Sequence, residues 1–294
     1  MTLHKSGFVN IIGSPNVGKS TLMNKLVGEK LSIITSKAQT TRHRIMGIVN
    51  GEDFQIVYSD TPGIVDPAYK LHESMLNYVY NALQDADVLL VVVEIGEKGF
   101  KNPELIKRIN EASLPTLVLV NKIDLSSQKE LEEKVEFWNK EFPQAEILPI
   151  SALHNLNVDL VLKKITELLP ESPPYFPKDQ LTDKPMRFFI SEIIREKLLL
   201  HYKKEIPYAA EVVVESYKEE KDIVRTRAEI YVERDSQKGI LIGKGGKALK
   251  QVGIDARKDI ETFVGKQVFL DLYVKVDKNW RSNANKLKRF GYIQ

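Results

Sequence analysis

With 294 residues, 43% of them hydrophobic and 28% charged, the chain is long enough for two ordinary domains and apolar enough to bury a core in each. It has no cysteine, which excludes disulfides and thiolate metal sites. The net charge of +3 is unevenly spread: residues 1–172 hold 18 Lys and Arg against 22 Asp and Glu, residues 173–294 hold 25 against 18. A polyanionic partner is therefore expected at the second half. The first residues lack the apolar core of a signal peptide, and the longest apolar run, Val88 to Val93, is too short to span a bilayer. A cytoplasmic location is expected.

The first half alternates apolar strand-like runs with helix-like stretches, the pattern of an α/β domain with a mostly parallel sheet. Phe8-Val9-Asn10-Ile11-Ile12 reads as a buried strand and Thr21 to Leu26 as the beginning of a helix. Between them stands Gly13-Ser14-Pro15-Asn16-Val17-Gly18-Lys19-Ser20, a full match to the phosphate-loop pattern G-x-x-x-x-G-K-[ST] in the strand–loop–helix context it requires. Backbone N–H groups of such a turn and the positive end of the helix converge on phosphates. Lys19 is placed to reach the β- and γ-phosphates, and the Ser20 hydroxyl, next to Thr21, to ligate Mg²⁺. A nucleotide is the expected ligand.

The polar segment Thr35 to Arg44 has no apolar period and reads as a mobile loop. Ile45 to Asn50 and Phe54 to Ser59 read as strands joined by a tight turn, hence antiparallel. The second ends in Asp60-Thr61-Pro62-Gly63. There the Asp can hold Mg²⁺ through water and the Gly63 N–H can sense a γ-phosphate. The strand Thr116 to Val120 ends in Asn121-Lys122-Ile123-Asp124. A carboxylate at Asp124 can accept from both N1–H and the N2 amine of guanine, which adenine cannot satisfy. Asn121 is expected to tie loops together and the Lys122 stem to lie over the base. Backbone N–H groups of Ser151, Ala152 and Leu153 are expected to meet guanine O6.

Taken in this order, these signals resemble the translation-factor-like GTPases over about residues 6–170. The resemblance implies GTP and GDP as ligands, Mg²⁺ as cofactor and GTP hydrolysis as the reaction. In that family a Thr of the first switch loop completes the Mg²⁺ shell; Thr41 is the first candidate and Thr40 the alternative. Small Ras-like members carry a water-orienting Gln where this chain has Ile64. That points to slow intrinsic hydrolysis, another water-positioning group, or a partner that completes the site. Members with this replacement often carry an Asn like Asn16 that helps bind a monovalent cation, which implies K⁺. Lys19, Asn16 and Thr41 are thus the residues expected to act on the reacting phosphate.

Pro170 closes a helix-like stretch, and residues 173–185 read as a semi-rigid, proline-rich linker between a domain at 1–172 and another at 186–294. The second domain reads helix, strand, strand, helix, helix, strand. Its two central helices flank Ile242-Gly243-Lys244-Gly245-Gly246-Lys247. A Gly-x-x-Gly turn free of side-chain bulk lets a nucleic-acid backbone pass against main-chain N–H groups, and Lys244 and Lys247 add charge. This part resembles a type II KH domain, a smaller α+β fold. A second phosphate loop is rejected there, since no Lys-Ser/Thr follows. The tail from Lys275 onward interleaves six basic residues with Trp280, Phe290 and Tyr292, which suits stacking on single-stranded RNA. Packing of Trp280 on its own domain would serve equally. None of the five histidines stands in a metal-ligand or nucleophile pattern, and His43 is expected to be the only one near the nucleotide site.

A GTPase domain followed by one KH domain resembles the bacterial ribosome-assembly GTPases that carry a C-terminal KH domain. That resemblance implies a monomeric switch that binds the 3′ end of 16S rRNA and serves the assembling 30S subunit. It also carries an occasional peripheral membrane association, for which the chain shows no lipid motif. Two other readings stand beside it. One is a GTPase acting on tRNA or another ribosomal particle, with the second domain as a docking module. The other is a constitutive RNA-binding protein whose nucleotide only stabilises the fold.

Overall fold

The computed structural model describes residues 4–37, 39–100, 102–112 and 114–293. They form two compact units, Met1–Pro67 with His72–Asp183 and Ala68–Leu71 with Lys184–Gln294.

The elements of the first unit run β1 (Lys5–Ile12), α1 (Lys19–Val27), β2 (Ile45–Asn50), β3 (Phe54–Asp60), α2 (Lys70–Gln84), β4 (Val88–Glu94), α3 (Pro103–Glu111), β5 (Thr116–Asn121), α4 (Gln128–Glu141), β6 (Glu146–Pro149) and α5 (Val158–Leu168). One six-stranded sheet takes the order β2-β3-β1-β4-β5-β6. Only β2 runs against its neighbour, as the short turn before β3 requires. Val88 to Val93 are all fully buried, because a parallel strand is covered on both faces. One side of the core is aromatic, with Phe100, Trp138 and Phe142 packed together. Because β1, β3, β4, β5 and β6 are parallel, the segments that follow them gather at one edge of the sheet. Ligands of open α/β sheets bind at that edge.

Most of the stretch read as a linker is bound to the first unit. Ile48 N–H donates to the Leu181 carbonyl at 2.8 Å, and Thr182 Oγ1 to the Met46 carbonyl at 2.6 Å. The fully buried Gln55 holds it further along. Its Oε1 accepts from Tyr175 and Phe176 N–H at 2.8 and 2.9 Å, and its Nε2 donates to the Phe176 carbonyl at 2.8 Å. The physical reason is the open edge of β2, whose unpaired backbone groups need a cover, and an irregular proline-rich strip supplies one.

The second unit contains α6 (Met186–His201), β7 (Glu211–Glu219), β8 (Ile223–Val232), α7 (Asp235–Ile242), α8 (Lys247–Val264), β9 (Gln267–Val276) and α9 (Ala284–Arg289). Its sheet is ordered β7-β8-β9, antiparallel then parallel. Ile190, Ile194 and Leu198 of α6 and Val252, Ala256 and Ile260 of α8 recur at four-residue spacing and are buried against the sheet. The tail decides between its two readings in favour of packing. Trp280 is fully buried and donates to the Ala209 carbonyl at 3.0 Å. Phe290 packs edge-on against it, and the buried Tyr292 donates to Glu211 at 2.7 Å. These rings are core, so they cannot stack on RNA. Arg281 and Lys286 are likewise taken up by Glu233 and Asp277.

Candidate nucleotide cleft and nucleic-acid loop

The cleft forms where the loop after β1 meets the ends of β3 and β5. Gly18, at φ +102°, passes so close to Asn121 that a Cβ would lie 2.2 Å from Asn121 Nδ2, so no other residue fits. Asn121 itself is buried. Its Nδ2 donates to the Val17 carbonyl at 2.7 Å and its Oδ1 accepts from Ala152 N–H at 2.9 Å. It therefore joins the phosphate loop to the segment after β6. Asn16 is exposed in the cleft wall with a left-handed φ of 66°.

Lys19 is 6% exposed, and its ammonium donates to the Gly13 and Ser14 carbonyls at 3.0 and 2.8 Å. Burial lowers its pKa to about 8, against the opposing pull of Asp60 and Glu97. Beside it, Ser20 Oγ donates to Asp60 Oδ2 at 2.8 Å and lies 2.9 Å from Thr41 Oγ1, which is 3.2 Å from the same carboxylate oxygen. Asp60 is fully buried, which raises its pKa despite Lys19, Ser20 and Thr41, all of which favour the anion. Its Oδ1 has no hydrogen-bond partner among the described residues. An orphaned carboxylate oxygen with two hydroxyls beside it is a hard oxygen donor set, and it fits Mg²⁺. The loop from Thr35 to Arg44, expected to be loose, is anchored here: Thr41 and Arg42 are both buried. Thr40 turns aside, donating to the Lys37 carbonyl at 2.6 Å. Gly63 sits against Pro15 of the phosphate loop, where a Cβ would come within 2.8 Å of its Cα. Ile64 belongs to the apolar core.

At the other end, Asp124 accepts from the Ser151 hydroxyl at 2.6 Å, and Lys122 pairs with Glu94. Two of the three backbone donors expected for guanine O6 are engaged within the protein: Ser151 N–H donates to the Leu156 carbonyl and Ala152 N–H to Asn121. Leu153 lines the cleft. Thr21 lines it as well, whereas Gly13, Ser14, Val17 and Asp60 lie behind its surface. Sequence reasoning missed several neighbours. Ile33, Ile34 and Leu125 line the cleft without any motif to mark them. His154 comes within 3.7 Å of Asp124, so His43 is not the one histidine near the site. The end of β4 places Glu94 on Lys122, and the loop after it places Glu97 on Ser14.

In the second unit, α7 ends at Gly243, whose φ is +70° and whose Cβ would strike that of Ala248 at 2.6 Å. Lys244 and Lys247 are exposed on either side of Gly245-Gly246. Ile242 is partly buried against the core instead of facing outward. Beyond the turn, Leu249, Ile254, Leu270 and Leu272 make an apolar groove with Lys250 and Arg257. A strip of apolar floor beside main-chain N–H groups and cations suits a single strand, bases down and phosphates at the turn.

A family model described as a 50S ribosome-binding GTPase matches residues 8–122, and a KH-domain model matches residues 205–281. GTPase Era of Staphylococcus haemolyticus (strain JCSC1435) is 47% identical over 296 aligned positions, spanning 100% of this chain and 99% of that one. The chain belongs to the Era family of GTPases. Two solved Era structures each superpose with a TM-score of 0.94 over 99% of this chain and 100% of theirs. One, at 39% identity, is an Aquifex aeolicus Era variant bound to GDP·AlF4⁻. The other, at 38%, is Era with MgGDPNP and nucleotides 1506–1542 of 16S rRNA. The fold is therefore that of an Era protein, a GTPase domain of mostly parallel sheet followed by a KH domain. Among the described residues no helix is long and apolar enough to cross a membrane.

Proposed function

We propose that this chain is a monomeric, cytoplasmic GTP-driven switch that binds the 3′ end of 16S rRNA through its KH loop and assists 30S subunit assembly. The observation that carries the reading is the pairing of two built sites in one chain. One is the Ser20–Thr41–Asp60 cluster beside a buried Lys19; the other is the glycine turn with its basic, apolar-floored groove. The Era relative bound to nucleotides 1506–1542 of 16S rRNA supports the choice of RNA.

In this reading the phosphate loop N–H groups and Lys19 hold the β- and γ-phosphates. Ser20, Thr41 and Asp60 would hold Mg²⁺, which supplies positive charge to the phosphates when bound. Asp124 accepts from the guanine edge, Asn121 braces the loops around it, and the Lys122 stem covers the base. Thr41 and Ser20 share Asp60 as a partner, so in this reading GTP orders the loop around Thr41 and hydrolysis ends that ordering, and this is the switch. Ile64, being core, orients no water. Asn16 instead lies exposed within the phosphate loop, where with K⁺ it would offset charge developing on the phosphates. Equal hydrolysis rates in Na⁺ and K⁺ would remove that part of the reading. The RNA assignment is tested by titrating a labelled 3′-terminal 16S fragment with full-length protein against a scrambled RNA. Sequence-dependent binding is expected, and indifference to sequence would refute it.

A further inference from the structure

The loop between β4 and α3 ties the two ends of the nucleotide cleft together, and no nucleotide motif includes it. Glu94 pairs with Lys122, and Ile95 N–H donates to the Asn121 carbonyl at 3.1 Å. Glu97 reaches the other end, its Oε1 accepting from the Ser14 hydroxyl. Its second oxygen accepts from Glu94 N–H at 3.3 Å. A turn and a lysine fix the backbone that carries it. Glu97 N–H donates to the Glu94 carbonyl at 3.0 Å, and Lys134 Nζ to the Glu97 carbonyl at 2.6 Å. Both carboxyl oxygens thus accept hydrogen bonds. Burial raises the carboxyl's pKa, while these hydrogen bonds and Lys19 favour the anion against it. A held negative charge is hydrogen-bonded to the very loop that must take up a polyphosphate. It is also near enough to Lys19 to favour that ammonium.

We infer that Glu97 is a positioning residue that weakens nucleotide binding and so speeds GDP release from this chain without a partner. The inference rests on the reading of the cleft as the GTP site. When no nucleotide is bound, Glu97 and Asp60 supply the negative charge that compensates Lys19. When a nucleotide is bound, the Glu97 carboxylate stands beside like charge. The first effect stabilises the free protein and the second opposes the complex, and both lower affinity. Differences of this kind between closely related complexes appear chiefly in dissociation. A role that merely braces Ser14 has the opposite sign, since removing a brace loosens the loop and weakens binding.

The test compares full-length wild type with Glu97→Gln and Glu97→Ala, using a fluorescent GDP with Mg²⁺ in stopped flow. Glu97→Gln keeps an acceptor for Ser14 and removes only the charge. It is expected to bind GDP about tenfold more tightly through slower release, with the gain shrinking at high salt. Glu97→Ala is expected to bind more tightly than wild type at low salt as well. A Glu97→Gln affinity equal to or weaker than wild type overturns the inference and leaves Glu97 as a brace. Failure of the folded wild type to bind GDP would instead sink the reading of the cleft, and the inference with it. Thermal melts of all three proteins establish that each is folded.

Discussion

In the first unit the polar groups around the phosphate loop are mostly buried and hydrogen-bonded within the protein; in the second they stand in water on a bare turn. Lys19, Asp60 and Asn121 are all buried, each hydrogen-bonded to its own neighbours in the cleft, whereas Lys244 and Lys247 are exposed. Electrostatic terms grow as water is excluded, so each buried group is worth more and is harder to replace. An exposed cation contributes one modest, salt-screened increment. The nucleotide cleft should therefore fail at single atoms, and the RNA loop should weaken by degrees.

Asp124→Asn should show the largest effect. An amide cannot accept both guanine donors, so GTP affinity is expected to fall roughly a thousandfold, with partial recovery for xanthosine triphosphate, which presents a carbonyl at position 2. Competition binding with the two triphosphates measures this. Next comes Asp60→Asn, which removes the charge from the cluster with Ser20 and Thr41. Phosphate release at saturating GTP and Mg²⁺ is expected to drop roughly a hundredfold. Smaller again is a pH effect at Lys19, whose pKa of about 8 reflects burial. A phosphate beside it favours the ammonium, so GDP affinity is expected to fall as pH rises through 8, toward tenfold per unit. For the free protein the sign reverses. Between pH 8 and the ordinary lysine value of 10.5 the folded chain holds fewer protons at this group than the unfolded chain, so its contribution to stability rises with pH. Calorimetric titrations and melts across that range separate the two. The smallest effects belong to Lys244→Ala and Lys247→Ala. Each is expected to weaken RNA binding a few-fold and lower the salt slope by about 1, leaving GDP affinity unchanged. A loss of a hundredfold from either would break the contrast between the units.

The two sites were not equally legible in the sequence. Gly13 to Ser20, Asp60 and Asn121 to Asp124 could be located because a nucleotide imposes fixed residue types at fixed spacing after parallel strands. The Gly243–Gly246 turn was visible for a similar reason, since a backbone must pass where a Cβ cannot stand. Glu97 was not, because its partner Ser14 lies 83 positions away and no local pattern marks a carboxylate that answers a distant loop. Gln55 hid the same way: nothing in Phe54 to Ser59 says that one amide will hold a strip 120 residues on. The tail left two readings open for a different reason. Basic residues interleaved with aromatics describe an RNA-stacking surface and a small capping cluster equally well, and only burial of Trp280 and Tyr292 distinguishes them.

The measurement that bears most directly on the switch reading is RNA affinity in two nucleotide states. Full-length protein would be titrated onto the 3′-terminal 16S fragment at fixed salt, once with GDP and once with a non-hydrolysable GTP analogue. The account expects tighter, sequence-dependent binding with the GTP analogue. Equal affinity in both states would contradict it, leaving an RNA-binding protein whose GTPase reports to something other than this RNA.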